Sequence, residues 1–517
     1  LLLEKGKNGL LRVIFGRTMV IILLLAVQIF IMIYAFGSLV KYIPYFWGVY
    51  ILTTFICILV IINRPYNPCI QVSWLILILT VPVIGIGLYL YVDTQLGYRY
   101  LNRCLNQRIQ ETGKLLSQDP AVLHAIEQED GGRRGTINIC RYAMQHGGFP
   151  VYVNTETEYY PMGELAFPYM LEALEGAETF IFIEYFIVRE GYMWGRILKI
   201  LEEKVKEGVE VRVMYDGTCA VTLLPYGYPA ELEKLGIQCK MFSPLRPVLS
   251  THYNNRDHRK IMVVDGKVGF TGGLNLADNY INLTHPYGVW KDNAIRIQGE
   301  AVQSLTMMFL QMWNIHKPGE NYEAYLNKQS IVEKTAGYIM PYGDNPLDDE
   351  NVAEMIYIDM LNRAERYVHI MTPYLIIDNE MLTALTFAAK RGVEVILILP
   401  YISDGKAVDA LAKSYYKQLI RGGVQIYEYM PGFVHSKVFV SDDVSAVVGT
   451  INLDYRSLYH HFECAVYLHR CPSVAEVEAD IQQTLRESKQ ITEADWKRVR
   501  LYKRAAGRVL RLIAPLM

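Results

Sequence analysis

Apolar positions along the chain fall into two regimes. The first comprises three uncharged, mostly apolar runs, Thr18–Val40, Tyr42–Ile62 and Val72–Val92, of 23, 21 and 21 residues. A helix needs about 20 such residues to cross a bilayer. The runs therefore predict a transmembrane region of two to three helices over residues 1–93. Core helices rarely come as three such runs in succession, and a cleaved signal peptide is shorter and single. Pro44 and Pro82 interrupt the pattern, and such breaks turn a span into a hairpin. Lys5, Lys7, Arg12 and Arg17 precede the first run, and Arg99, Arg103 and Arg108 follow the last. With both flanks basic, charge does not fix the orientation.

The second regime begins near Phe149, after a linker or helical region at 94–148. A buried-strand run, Thr179–Val188, is followed by the amphipathic "GRILKILEEKVKEG" and a second strand, "VEVRVMYDG". A short helical stretch and the strand "IQCKMF" come next. Strands alternating with helices predict a mostly parallel sheet in an α/β fold. The order then recurs: "YVHIMTPYLI", "EMLTALTFAAKRGVEVILILPY" and "LIRGGVQIYEY". A domain of roughly 170 residues is thus duplicated, at 149–330 and 331–517, the second copy carrying a basic tail. Such a duplication can set two copies of one motif face to face across a pseudo-twofold axis.

The repeated motif carries the chemistry. "HRKIMVVDGKVGFTGGLNLAD" starts at His258 and "HSKVFVSDDVSAVVGTINLD" at His435. On a strand, residues i and i+2 share a face, so His258 pairs with Lys260 and His435 with Lys437. Asp265 and Asp442 lie seven residues on, an odd step, and on geometry alone read as structural supports. A two-residue hairpin loop at Gly266–Lys267 makes paired numbers sum to 533, which sets Asn275 opposite His258. The same reading of the second copy gives 887 and sets Asn452 opposite His435. Two histidines, two lysines and two asparagines facing each other suit a phosphate diester. One imidazole attacks phosphorus while the other protonates the leaving oxygen, and lysine charge and amide donors steady the phosphoryl oxygens. Lysine charge also keeps the attacking imidazole neutral. Each histidine needs a partner on its second nitrogen, and the candidates are Asp292 and Glu463, each downstream of its own motif. The lysines can supply the charge a metal would, so no metal and no cofactor is expected.

The pattern HxKxxxxD followed by GGxN or GTxN, present twice, resembles the phospholipase D superfamily. The extended stretches "NNRDHRKIMVVDGKVGFTGGLNLADNY", "WKDNAIRIQGEAV" and "HSKVFVSDDVSAVVGTINLDYRSLYHHFE" are similar more narrowly to the bacterial cardiolipin synthases. That resemblance implies a duplicated phospholipase D-like fold, two mixed sheets flanked by helices, behind transmembrane helices. It implies phosphatidyl transfer between two phosphatidylglycerol molecules through a phosphatidyl-histidine, giving cardiolipin and glycerol. It makes His258, Lys260, Asp265, His435, Lys437 and Asp442 the catalytic set, with His258 as nucleophile. Asn275, Asn452 and Thr450 would bind substrate phosphate. Gly273 departs from the family's usual serine, so Thr450 has no hydroxyl counterpart in the first copy. The resemblance further implies a multi-pass protein of the bacterial cell membrane.

Composition narrows the alternatives. Net charge is −2 over 517 residues, without the basic excess of a nucleic-acid binder. This counts against a nuclease, and two intact motifs count against a non-enzymatic scaffold. A membrane-bound hydrolase, or a transferase with another headgroup acceptor, shares the same chemistry. Eight scattered cysteines without a CxxC pair read as free thiols of a reducing compartment, which favours a cytoplasmic catalytic part. The tail Lys497–Arg511 has seven basic residues and no acidic one. It predicts a helix lying on anionic headgroups, the alternative being one docked on the protein.

Overall fold

The computed structural model describes residues 47–516 apart from 65–66, 94–95, 132–133, 226, 245–254, 318, 327–334 and 349, with scattered positions between 26 and 38. The first apolar run, Thr18–Val40, lies mostly outside the described residues. The other two form helices α1 (Trp47–Ile62), α2 (Pro68–Thr80) and α3 (Pro82–Asp93). At 1.5 Å per residue, α1, the longest of them at 16 residues, spans about 24 Å of a hydrocarbon core about 30 Å thick. Among the described residues no helix is long and apolar enough to cross a membrane. The run Val72–Val92 breaks at Val81 and folds back, so that Trp74 meets Tyr89 edge-on at 5.5 Å. It is a helical hairpin, the turn falling at the Pro82 break. Its outer face, with that of α1, leaves Val49, Leu52, Phe55, Val72 and Leu79 exposed.

The first lobe contains β1 (Thr155–Tyr160), β2 (Phe180–Tyr185), β3 (Glu210–Asp216), β4 (Gln238–Phe242), β5 (Arg256–Asp257), β6 (Lys260–Val264), β7 (Val268–Gly272), β8 (Val289–Lys291) and β9 (Ala294–Gly299). The second contains β10 (Tyr338–Asp344), β11 (Tyr367–Met371), β12 (Leu375–Ile376), β13 (Glu394–Pro400), β14 (Gln425–Tyr429), β15 (Gly432–Val434), β16 (Val438–Ser441), β17 (Ser445–Gly449), β18 (Leu453–Asp454), β19 (His461–His469) and β20 (Ser488–Ile491). The sheets run β1-β9-β7-β6-β2-β3-β4 and β10-β19-β17-β16-β11-β13-β14-β20. Strand for strand the orders correspond, with β20 as an added edge.

Both sheets are mixed. Along the main path of each sheet, β2–β3–β4 and β11–β13–β14 are joined in parallel. The hairpins β6–β7 and β16–β17, and the strands beyond them, pair antiparallel. The mostly parallel sheet expected from strand–helix alternation covers just that part of each lobe where helices make the crossovers.

The lobes share one hydrophobic core. Ile261, Val263 and Ile297 of the first sheet join Val440, Val448 and Val466 of the second in one cluster, which also takes in Phe309 of helix α4 (Val302–Trp313). The linker region holds the helices Leu96–Thr112, Pro120–Glu129 and Gly135–Tyr142, and its Val122, Ile126, Ile139 and Cys140 pack into the second lobe's core. Three more helices matter below: α5 (Lys406–Arg421), α6 (Pro472–Arg486) and α7 (Leu501–Leu510).

Two short ladders cross between lobes. β5 pairs in parallel with β19, and β15 pairs in parallel with β8. Each repeat thus lends a few residues to the other's strand.

Candidate active site

Both histidines sit just after these crossing ladders, not within a regular strand. His258 follows β5, and its N–H donates to the Phe462 carbonyl of β19 at 2.9 Å. His435 follows β15, and its N–H donates to the Lys291 carbonyl at the end of β8 at 2.7 Å. The backbone of each histidine is thereby fixed by the opposite lobe.

So is each ring. His258 Nδ1 lies 2.9 Å from both carboxylate oxygens of Glu463. His435 Nδ1 lies 2.7 Å from Asp292 Oδ2. The pairing crosses between the copies: Glu463 of the second copy meets the first histidine, and Asp292 of the first copy meets the second. With Nδ1 engaged, Nε2 of each ring is left for a substrate. Both histidines line one cavity of about 600 Å³, also walled by Phe186, Tyr280, Tyr287, Trp290, Tyr374 and Phe433.

Burial sets the protonation states. His258 is pushed down to about 3, chiefly by desolvation, against the pull of Glu463. His435 is pushed down to about 4, by desolvation first and by Lys437 second. The imidazoles are neutral at rest, and the main cause is burial, with lysine charge second to it. Glu463 and Asp292 are held below the usual carboxylate range by their histidines.

Lys260 and Lys437 are each only 1% exposed and do not line the cavity. Lys260 Nζ donates to the His258 carbonyl at 2.6 Å. Lys437 Nζ donates to the His435 carbonyl and lies 2.9 Å from His435 Nδ1. Side chains two residues apart do share a side, but these curl back behind the rings. Burial depresses both ammonium groups, to about 8 and about 7, with Glu463 and Asp292 opposing it. Two lysines facing two carboxylates leave the buried centre electrically balanced, which offsets a desolvation cost of several kcal/mol per ion.

The hairpin register differs from expectation in both copies. Val264 pairs with Val268 and Ser441 with Ser445, so the paired numbers sum to 532 and 886. The loops have three residues, because Asp265, Gly266, Asp442 and Asp443 adopt left-handed backbone angles, φ 54° to 63°. Asp265 accepts hydrogen bonds from the N–H groups of Glu178, Thr179 and Phe180 at 2.7–2.9 Å and from the Thr179 hydroxyl. Asp442 accepts from the N–H groups of Glu365, Arg366 and Tyr367, each at 2.8 Å. Neither lines the cavity, so the catalytic role that the resemblance implies for them is not matched by their place. They pin each hairpin to the start of the neighbouring parallel strand.

A first prediction arises here. Asp265→Ala takes the acceptor from the N–H groups of Glu178, Thr179 and Phe180, of which only the last belongs to a buried residue, and lowers stability by roughly 1–3 kcal/mol, while the folded fraction keeps its turnover. Thermal unfolding alongside specific activity checks this. Because the native hydrogen bonds hold Asp265 below its ordinary value of 3.8, its stabilisation is complete above that pH and is lost as pH falls through the lower native value.

The asparagines and the threonine divide. Asn275 and Asn452 both line the cavity. Asn275 already accepts from the Ile187 N–H at 2.9 Å and donates to the Tyr280 hydroxyl at 2.8 Å, leaving one amide hydrogen. Thr450 does not line the cavity; its hydroxyl donates to Glu463 Oε2. The hydroxyl expected to meet a substrate phosphate is therefore engaged with a carboxylate in this structure. At the equivalent position of the first lobe, a Cβ on Gly273 would sit on the Asp292 carboxylate, so the glycine is required there.

Among the cavity residues that no sequence motif marked are Arg256, Arg456 and His461, with the carboxylates Asp404 and Asp454. His461 was hidden in the doublet "HHFE". It is 7% exposed, its ring lies 5.4 Å from that of His258, and its Nδ1 lies 3.7 Å from Glu463 Oε1. Neither of its ring nitrogens has a hydrogen-bond partner among the described residues. His258, His461 and Glu463 offer ligand atoms within 4.8 Å of one another, a set that could hold a metal ion. Glu463 already serves His258 and Thr450, so an ion there would compete with His258 for its anchor.

Comparison with known proteins follows the same lines. A family model described as "Cardiolipin synthase, PLD-like domain" matches residues 170–313 and 357–485. An uncharacterised protein of Streptococcus mutans is 47% identical over 89% of this chain and 99% of its own length. A cardiolipin synthase of Geobacillus kaustophilus is 34% identical over 89% of this chain and 91% of its own. One from Alkalihalophilus pseudofirmus is 32% identical over 87% and 90%. The crystal structure of phosphatidylserine synthase from Haemophilus influenzae superimposes with a TM-score of 0.51 over 70% of this chain and 93% of its own, at 14% identity, a likeness of fold alone.

Proposed function

Since the chain belongs to the cardiolipin synthase family of phospholipase D-like proteins, we propose that it is a phosphatidyltransferase joining two phosphatidylglycerol molecules into cardiolipin with release of glycerol. The observation that carries this reading is the pair of imidazoles on one cavity, each held through Nδ1 by the other lobe's carboxylate.

The chemistry follows from the geometry. His258 Nε2 attacks the phosphorus of the first phosphatidylglycerol, and the bond from phosphorus to the glycerol oxygen breaks. The His435 imidazolium gives its proton to that oxygen, and glycerol leaves. The entering phosphodiester carries a negative charge and so favours the protonated form of a ring that is neutral at rest. His435, now neutral, takes the proton of a hydroxyl on the second phosphatidylglycerol. That oxygen attacks phosphorus, breaks the phosphorus–nitrogen bond and frees His258. Asp292 and Glu463 hold each ring's tautomer and steady its positive form. The buried lysines act from behind the rings, supplying positive charge in their protonated form. Asn275, Asn452, Arg256 and Arg456 are the cavity donors for phosphoryl oxygens. No step in this sequence calls for a metal or a cofactor.

The exposed apolar faces of α1 and the α2–α3 hairpin support residence at a membrane, where both substrates lie. The test is lipid-product analysis of purified full chain given labelled phosphatidylglycerol. Cardiolipin and free glycerol are expected, and added glycerol should reverse the reaction; phosphatidic acid as main product would make water the acceptor and the protein a hydrolase.

His461 is assigned as a donor to the phosphoryl group beside His258. His461→Ala should lower kcat/KM on the order of 10²-fold while the adduct on His258 still forms. An unchanged kcat/KM would leave the ring as packing only.

A further inference from the structure

A second cavity, of about 430 Å³, lies away from the histidines, between α5, the helix Asn379–Lys390, Trp496 and α7. Among the described residues six cations line it, Lys390, Lys413, Lys417, Arg421, Arg504 and Arg508, and no carboxylate does. Lys413 is paired with Asp409 at 2.7 Å and Arg421 with Glu493 at 2.7 Å. Lys390, Lys417, Arg504 and Arg508 have no carboxylate within 4 Å among the described residues. Arg504 Nε is buried without a hydrogen-bond partner. Trp496 lies between two of these cations, with Lys417 Nζ at 5.3 Å and the Arg504 guanidinium at 4.8 Å from its ring. Like charges gathered on one concavity repel, and an anion is what the arrangement lacks.

The position of the cavity says where that anion comes from. α7 docks on α5 through Gly507, whose missing Cβ lets the helix meet the Ala410 carbonyl, and through Lys503 to Asp409 at 3.3 Å. At 3.6 residues per turn, Arg504 and Arg508 share the edge of α7 beside the cavity. The next sector round the helix carries Leu501, Tyr502 and Val509, which are 76%, 60% and 64% exposed, and it continues into exposed Leu512 and Ile513. The Ser73 hydroxyl of α2 donates to the Leu512 carbonyl at 2.7 Å, so the apolar hairpin abuts the same corner. A basic pocket bordered by an exposed apolar face matches a phospholipid at an interface, phosphate inward and chains outward.

We propose that this cavity binds the headgroup phosphate of an anionic membrane phospholipid, apart from the reacting site. The tail therefore combines both expected behaviours: it docks on the protein and presents its remaining faces to lipid.

The experiment uses full chain in neutral detergent micelles, titrated with phosphatidic acid bearing brominated acyl chains. Quenching of Trp496 is read as the difference between the wild type and Trp496→Phe. Saturable quenching is expected, at least 10-fold weaker in Lys417→Gln/Arg504→Gln/Arg508→Gln and measurably weaker in Arg508→Gln alone, an exposed change that spares the fold. Adduct formation on His258 should persist in both variants. Equal affinity in the variants would overturn the proposal. So would equal quenching by brominated phosphatidylcholine. Displacement by inorganic phosphate at the lipid's own concentration would assign the pocket to a soluble phosphate and overturn it as a lipid site.

Discussion

His258→Ala abolishes cardiolipin formation and the phosphatidyl-enzyme together. A drop of roughly 10⁴-fold or more is expected, because the residue supplies the atom that bonds to phosphorus. His435→Ala behaves differently: with a good leaving group the adduct still forms, but its resolution slows by a similar factor, since no base remains for the second hydroxyl. Peptide mapping of trapped enzyme separates the two. Label on His435 in the wild type would exchange the roles, and label on neither would remove the covalent step. Burial adds a pH signature. With His258 pushed down to about 3, its nucleophilic form persists into mildly acidic solution. Adduct formation from an activated substrate should then hold its rate from pH 6 to pH 5, where both buried lysines are charged and an ordinary histidine would already be losing rate below its usual 6.5.

Glu463→Gln is expected to disable His258 from the other half of the chain, with turnover falling on the order of 10³–10⁴-fold. The carboxylate fixes the tautomer in which Nε2 is unprotonated, and it stabilises the ring once phosphorus is attached. It also balances the charge of buried Lys260, so the variant should melt earlier. Single-turnover measurement distinguishes the partners: Glu463→Gln slows adduct formation, whereas Asp292→Asn slows leaving-group protonation and resolution. Combining Glu463→Gln with His258→Ala should add little to His258→Ala alone. Full additivity there, with unaltered adduct kinetics in the single variant, would leave Glu463 as a stability residue.

Much of this was legible along the chain because duplication gave two readings of each feature. "EGVEVRVMYDG" and "RGVEVILILPY" became β3 and β13, the same rung of each sheet. The two histidines were marked by motif. What stayed hidden was carried by two- and three-residue strands. β5 and β15 have no periodicity to read, yet their pairing with β19 and β8 decides which carboxylate meets which ring. The hairpin register slipped by one because an aspartate in a left-handed turn looks in sequence like the last residue of a strand. His461 lacked a repeat partner to draw attention to it. At 72–92 hydropathy sums over the fold-back as readily as over a straight helix, and Pro82 is the residue that marks the break.

The exchange of carboxylates between lobes bears on how the two repeats can drift or be copied onto each other. Positions 273 and 450 are equivalent, as are 292 and 463, yet one lobe has glycine with aspartate and the other threonine with glutamate. Gene conversion that rewrote only position 273 from its counterpart would drive a threonine onto the Asp292 carboxylate and unseat His435. Rewriting only 450 would remove the hydroxyl that holds Glu463 and loosen His258. Each pair can be inherited only as a block, so the damage from a partial tract appears at the histidine of the repeat that was never touched.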